Sequence, residues 1–194
     1  MTPERFNSPS ALYQHDLEKD ERQVAHWYNT LSNSYDELYG QEQSQKYEIV
    51  FEFLGNRHFR ILVDIGCGTG TFLERAHEIC DHSIGIDLSP KMLKIAKNKR
   101  TPNADYVLAS SSSLPLKNDS SDCTVSISAA KAEPNLPKFL SDLERICRKD
   151  SFLAVSLFQE PGAPNPISIA KSVRSTKISE RETLYFRRPA ETLK

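Results

Sequence analysis

The chain has 194 residues, 38% of them hydrophobic, and a formal net charge of −1. That length suits one domain with a real core, and no apolar run approaches the ~18 residues of a membrane span. The four cysteines (Cys67, Cys80, Cys123, Cys147) are scattered without C-x-x-C spacing, which speaks against a zinc site or a disulfide framework and for reduced thiols in a cytoplasm. Residues 1–20 are polar, lack the apolar stretch of a signal peptide, and read as a flexible terminus ahead of one domain over 21–194. The segment 21–58 is helical in pattern: Val24, Trp27, Tyr28 and Leu31 share a face, followed by Tyr35, Leu38 and Tyr39, then Ile49, Val50 and Phe53. Strands then alternate with helices from Ile61 to Phe158, giving a core over 60–158. Ser89 is a good N-cap with Pro90 at the first helical position. Leu136, Phe139, Leu140, Leu143 and Ile146 mark a later helix. The lysine-rich run Lys91, Lys94, Lys97, Lys99, Arg100 reads as the solvated face of a helix that packs through Met92, Leu93 and Ala96. The end, 159–194, is short: a Pro-rich loop, one weak helix, and strands around Ile178–Glu180 and Thr183–Phe186.

The most informative segment is Arg60-Ile-Leu-Val-Asp-Ile-Gly-Cys-Gly-Thr-Gly70. A short apolar run ends in glycines at 66, 68 and 70, and Phe72, Leu73, Ala76 and Ile79 follow at helical spacing. This is a buried strand, a tight turn and a helix start, where an α/β sheet holds a ligand across its strand ends. Glycine lets backbone approach that ligand closely. The third glycine of the dinucleotide fingerprint is replaced by Thr71, and Asp64 stands just before the first glycine. A carboxylate there repels a pyrophosphate but suits an ammonium group. Asp87 closes a second strand, 21 positions after Gly66, the spacing of an acid that accepts from ribose hydroxyls. Ribose, an amino group and no phosphate fit S-adenosylmethionine.

These residues carry a family resemblance. VDIGCGTG at 63–70 and GIDLSP at 85–90 resemble the first two motifs of class I S-adenosylmethionine-dependent methyltransferases. Ser113–Leu116, Ser121–Ser128, Leu143–Lys149 and Phe152–Ser156 resemble the loop after strand three, strand four, and the helix and strand that follow. The resemblance implies a Rossmann-like, doubly wound α/β sheet flanked by helices, with an N-terminal helical extension and a short C-terminal end. It places Asp64, Gly66, Cys67, Gly68 and Gly70 at the methionine end, Asp87 at the ribose and Leu88 beside the adenine. Ser110, followed by Ser111, stands where relatives carry an acid that accepts from the adenine amino group. Tyr28 and Tyr35 lie in a segment that resembles a helix which in relatives closes over the cofactor; the alternative is that Trp27 and Tyr28 cover the sheet edge. Cys67 reads better as a small residue packed in the turn than as a nucleophile. No metal is implied.

The acceptor side carries fewer signals. Methyl transfer needs alignment and exclusion of water rather than a nucleophile of the protein's own. Lys131 and Tyr35 are the candidate catalytic residues, and a solvated loop lysine is an equal reading of the first. The sequence resembles methyltransferases of translation components, including small archaeal ones that need a zinc-binding activator protein, and also quinone-biosynthesis methyltransferases. A cofactor-binding subunit without turnover is a third reading. The last 34 residues hold seven bases (Lys171, Arg174, Lys177, Arg181, Arg187, Arg188, Lys194) against three acids, which admits RNA contact at that end.

Overall fold

The computed structural model describes residues 21–131, 136–158 and 173–188. Two helices come first, α1 (Glu21–Leu31) and α2 (Tyr35–Leu54). The alternating part follows as β1 (Phe59–Ile65), α3 (Thr71–Ala76), β2 (Cys80–Asp87), α4 (Pro90–Asn98), β3 (Ala104–Leu108), β4 (Ser121–Lys131), α5 (Leu136–Ile146) and β5 (Cys147–Phe158). A hairpin, β6 (Val173–Lys177) and β7 (Glu182–Arg187), completes the described chain. The seven strands form one sheet in the order β3-β2-β1-β4-β5-β7-β6. The first five are parallel, and β7 runs antiparallel to both of its neighbours. The order reverses between β1 and β4, so their carboxyl ends flank the crevice in which ligands of open α/β sheets lie.

Both faces of the sheet are covered, and the strands read accordingly. Leu62, Val125, Phe152, Ala154, Leu184 and Phe186 pack with Val50, Phe53 and Leu54 of α2 and with Phe72 and Leu73 of α3. Their neighbours Val63, Ile65, Leu153, Val155, Leu157 and Tyr185 pack with Leu136, Phe139, Leu143 and Ile146 of α5. Successive strand residues point to opposite faces, so near-continuous apolar runs serve two layers at once. Asp64 falls in the same alternation as Leu62, on the side that α2 and α3 cover.

The caps are local. The Ser89 hydroxyl accepts from the Met92 N–H at 3.2 Å, and Pro90 follows as expected. Asp122 is structural: it accepts from the Ile61 N–H at 2.9 Å and pairs with Arg148. The hairpin corrects one expectation. Ile178–Glu180 is a turn, because the N–H groups of Ile178 and Ser179 donate to the Glu182 carbonyl at 2.9 and 3.2 Å. The Ser179 hydroxyl also accepts from the Arg181 and Glu182 N–H groups. A serine that ties its own backbone makes turns, and the strand lies earlier, at Val173–Lys177. The expected weak helix, the terminus 1–20 and the Pro-rich loop lie outside the described residues. No described helix is long and apolar enough to cross a membrane.

Candidate functional site

The turn after β1 is built by the backbone of β2. The N–H groups of Gly66 and Cys67 both donate to the Ile86 carbonyl, at 2.7 and 3.0 Å. Gly66, Gly68 and Gly70 all have positive φ (77°, 53° and 76°). The three are glycine for different reasons. A Cβ on Gly66 would stand 2.1 Å from the Ala129 Cβ, and one on Gly70 would stand 2.9 Å from Ala96 and from the Tyr106 hydroxyl. A Cβ on Gly68 would meet nothing within 4 Å. It would point into open space beside the turn.

Asp87 locks this turn to the next one. Its Oδ2 accepts from the Gly68 N–H and its Oδ1 from the Ser89 N–H, both at 2.8 Å. A carboxylate has about four lone-pair sites, so Asp87 can hold the turn and still accept from a ligand. Burial raises its pKa, and its backbone hydrogen bonds partly offset that. Asp64 is only 3% exposed. Burial first, and the Asp87 charge second, push its pKa up to about 8, with no offsetting cation or hydrogen bond among the described residues. A desolvated carboxylate of this kind gains most from a cationic ligand. The same burial and the two aspartates raise the Cys67 thiol well above its ordinary value, so it is held neutral and is no nucleophile.

A cavity of about 170 Å³ lies between this turn and α2, lined by Gly66, Cys67, Gly68, Tyr35, Tyr47, Gln43 and Ile127 among others. Tyr35 thus lines the same cavity as the turn residues. Tyr28 is next to it, with ring centroids 6.2 Å apart. Burial raises the Tyr35 hydroxyl well above its usual pKa, which keeps it neutral and makes it a donor rather than a base. Leu88 is half-buried beside Asp87. Ser110 and Ser111 lie in the segment after β3, which is tied to the end of β2 by the Ala109 N–H on the Asp87 carbonyl at 3.1 Å. Lys131 is the last residue of β4, and its side chain lies outside the described residues.

Two polar clusters at this cavity escaped the sequence reading. Lys99 is not simply solvated: its ammonium donates to the Thr71 hydroxyl at 2.6 Å and pairs with Asp36 and Glu74 at 3.4 and 3.3 Å. Thr69 in turn donates to Asp36 at 2.5 Å, which ties the start of α2 to the glycine turn. Lys46 is fully buried. Its three protons go to Ser128 Oγ at 2.8 Å, Glu42 at 2.8 Å and Glu182 at 2.7 Å. Ser128 donates to Glu182 at 3.1 Å and accepts from Gln43 Nε2 at 3.2 Å. A signal was available. Tyr39, Gln43, Lys46 and Val50 share one buried stripe of α2, and two polar residues at core positions ask for partners. No described group of His, Cys, Asp and Glu could hold a metal ion.

Residues 63–155 match the protein family described as a methyltransferase domain. An uncharacterised protein of Methanocaldococcus jannaschii is 34% identical over 147 residues, which is 75% of this chain and 55% of that protein. The ubiquinone/menaquinone biosynthesis C-methyltransferase of Campylobacter jejuni is 34% identical over 104 residues, 50% of this chain and 44% of that protein. The chain thus spans about half the length of these curated relatives. Among solved structures, the complex of the Haloferax volcanii Trm112 methyltransferase activator with a proposed methyltransferase is similar in fold. Its TM-score is 0.60 at 19% identity, over 69% of this chain and 61% of that one.

Proposed function

We propose methyl transfer to a small, largely apolar acceptor as the function of this chain, which belongs to the class I S-adenosylmethionine-dependent methyltransferases. The observation that carries the proposal is the pairing of two carboxylates with different surroundings at adjacent strand ends. Asp64 is desolvated and without an offsetting cation, so it suits the cofactor's ammonium group. Asp87 is held by the Gly68 and Ser89 N–H groups and keeps lone pairs for the ribose hydroxyls. The bare space over Gly68 leaves room for the chain between those two ends. Bound S-adenosylmethionine supplies an activated methyl group. The chain's own residues align the reactants and exclude water. Tyr35, Tyr47 and Ile127 line the cavity together with the polar side chains of Asp36, Gln43, Thr69, Thr71 and Lys99.

The small-acceptor reading is supported by Tyr35, Tyr47 and Ile127 within a lining that also carries polar groups, and by the likeness to a quinone-biosynthesis methyltransferase. Arg187 and Arg188 do not favour RNA. Arg187 donates to the Ser151 hydroxyl at 3.2 Å, and Arg188 donates to the Phe53 carbonyl at 2.8 Å with its guanidinium over the Phe53 ring. The four described cysteines are free and buried, which suits action in a cytoplasm.

A second reading keeps a translation component as acceptor and a small zinc-binding activator as partner. It rests on the edge position of β3 among the described strands, where Leu108 is 58% exposed, and on the fold likeness to the activator-bound Haloferax chain. An exposed apolar edge strand is a place for a partner strand to add. Labelled methyl transfer into fractionated cell extract separates the readings. Label in small lipid-soluble products supports the first. Label in RNA or protein that depends on an added activator supports the second. Cofactor binding with no transfer to any fraction would point to a subunit without turnover.

A further inference from the structure

The carboxyl ends of β1, β2 and β3 follow one another across the sheet. The first carries the glycine turn and Asp64, the second carries Asp87, and the third runs into Ala109–Ser113. A nucleoside whose ribose is held at Asp87, with its methionine chain directed to Asp64, must place its base at the third end. There two hydroxyls converge on one acceptor: Ser110 and Ser112 each donate to Glu21 Oε1 at 2.5 Å. The Ser112 N–H donates to Ser110 Oγ at 3.0 Å, which fixes the loop in that shape. Ser110 has therefore given its only proton to Glu21 and one lone pair to its own loop. The strong acceptor at this end is the carboxylate, not the serine.

Glu21 is not a stray surface contact, because α1 is anchored at its other end as well. Asn29 Oδ1 accepts from the Ser89 hydroxyl at 2.8 Å and from the Lys91 N–H at 3.1 Å. Helix α1 thus bridges the turn after β2 and the loop after β3, with Glu21 held on that loop at the third strand end.

Building on the cofactor reading above, we propose that Glu21 accepts the hydrogen bond of the adenine 6-amino group and so selects adenine, with Ser110 and Ser112 positioning its carboxylate. A 6-oxo base would turn a carbonyl oxygen toward that carboxylate, so the same residue discriminates as well as binds.

The test is calorimetric titration of the full chain with S-adenosylhomocysteine and with S-inosylhomocysteine, its 6-oxo analogue. The wild type is expected to prefer the 6-amino ligand tenfold or more. Glu21 is exposed, so Glu21→Ala should fold and melt as the wild type does. That variant should lose at least tenfold in affinity for S-adenosylhomocysteine and bind the two ligands within about threefold of each other. Retention of the wild-type preference overturns the assignment. Equal loss for both ligands overturns it too, because a residue that merely docks α1 lowers both affinities and leaves their ratio intact. Failure of the wild type to bind either ligand overturns the cofactor reading itself, and this assignment falls with it.

Discussion

Asp64 and Asp87 lie at the ends of adjacent strands, and the Asp87 charge adds to the cost that burial places on charging Asp64. The sign of the consequence is fixed. Asp64 ionises near 4 when unfolded and at about 8 when folded. Its contribution to stability is therefore fully present below pH 4 and is lost as pH rises through 8. Asp87 is shifted in the same direction. The unliganded chain is expected to be more resistant to urea at pH 5.5 than at pH 8.5, and Asp64→Asn should flatten that difference. An unchanged urea midpoint across this range would contradict the burial of an uncompensated carboxyl. A cationic ligand needs Asp64 ionised, so binding below pH 8 should release a proton, visible as a buffer-dependent binding enthalpy. The glycines divide the same way. Gly66→Ala drives a methyl into Ala129 and should unfold or reshape the turn. Gly68→Ala has space, and its left-handed φ costs about 1–2 kcal/mol, so it should lower cofactor affinity more than stability. Comparing melting and binding for the two variants checks this. The residues of the turn were legible in sequence because Asp64 and the glycines sit on one local strand–turn–helix pattern and Asp87 closes the strand that follows it. Glu21 was not, because it reaches Ser110 and Ser112 across 89 and 91 positions.

At the scale of elements, the Lys46 cluster is what joins α2, β4 and β7 below the cavity. Ser128 takes a positive φ of 59°, costly for a residue with a Cβ. Its backbone N–H donates to the Ser156 hydroxyl at 2.6 Å, and its own hydroxyl sits between Lys46 and Glu182. Glu182 is only 2% exposed, so removing its cation strands a buried charge. Lys46→Met should destabilise the chain by about 3–5 kcal/mol, and adding Glu182→Leu should restore much of the loss. Equilibrium unfolding of the single and double variants tests the pair. A loss under about 1 kcal/mol for the single variant would mean that the charges are solvated. Element by element, what a local signal marks is readable: the Ser89–Pro90 helix start, the α5 stripe, and the strand up to Phe186. The ion pairs of Lys46 and Lys99 join residues far apart in sequence, so a lysine in an otherwise solvated run and a lysine in a core stripe look alike until the partners are placed. The β6–β7 turn was misjudged because Ile178 looks like a strand residue, and only the Ser179 hydrogen bonds make it turn.

For the whole molecule, the reversal of strand order between β1 and β4 puts the glycine turn, the two aspartates and the cavity at one end of one sheet. Helices α1 and α2 close over that end through three separate ties: Glu21 to the serine loop, Asn29 to the α4 cap, and Asp36 to Thr69. The alternation of apolar strands and helices foretold this sheet, whereas the roof of α1 and α2 depends on side chains that meet only in three dimensions. The central claim is that this end holds S-adenosylmethionine through Asp64 and Asp87. Calorimetric titration of the wild type, Asp87→Asn and Asp64→Asn with S-adenosylmethionine tests it most directly, with NADH as the competing ligand class. The account predicts one S-adenosylmethionine per chain, a loss of at least tenfold in each variant, and no comparable binding of NADH. Equal affinity in all three proteins, or NADH binding as tight as S-adenosylmethionine, would contradict it.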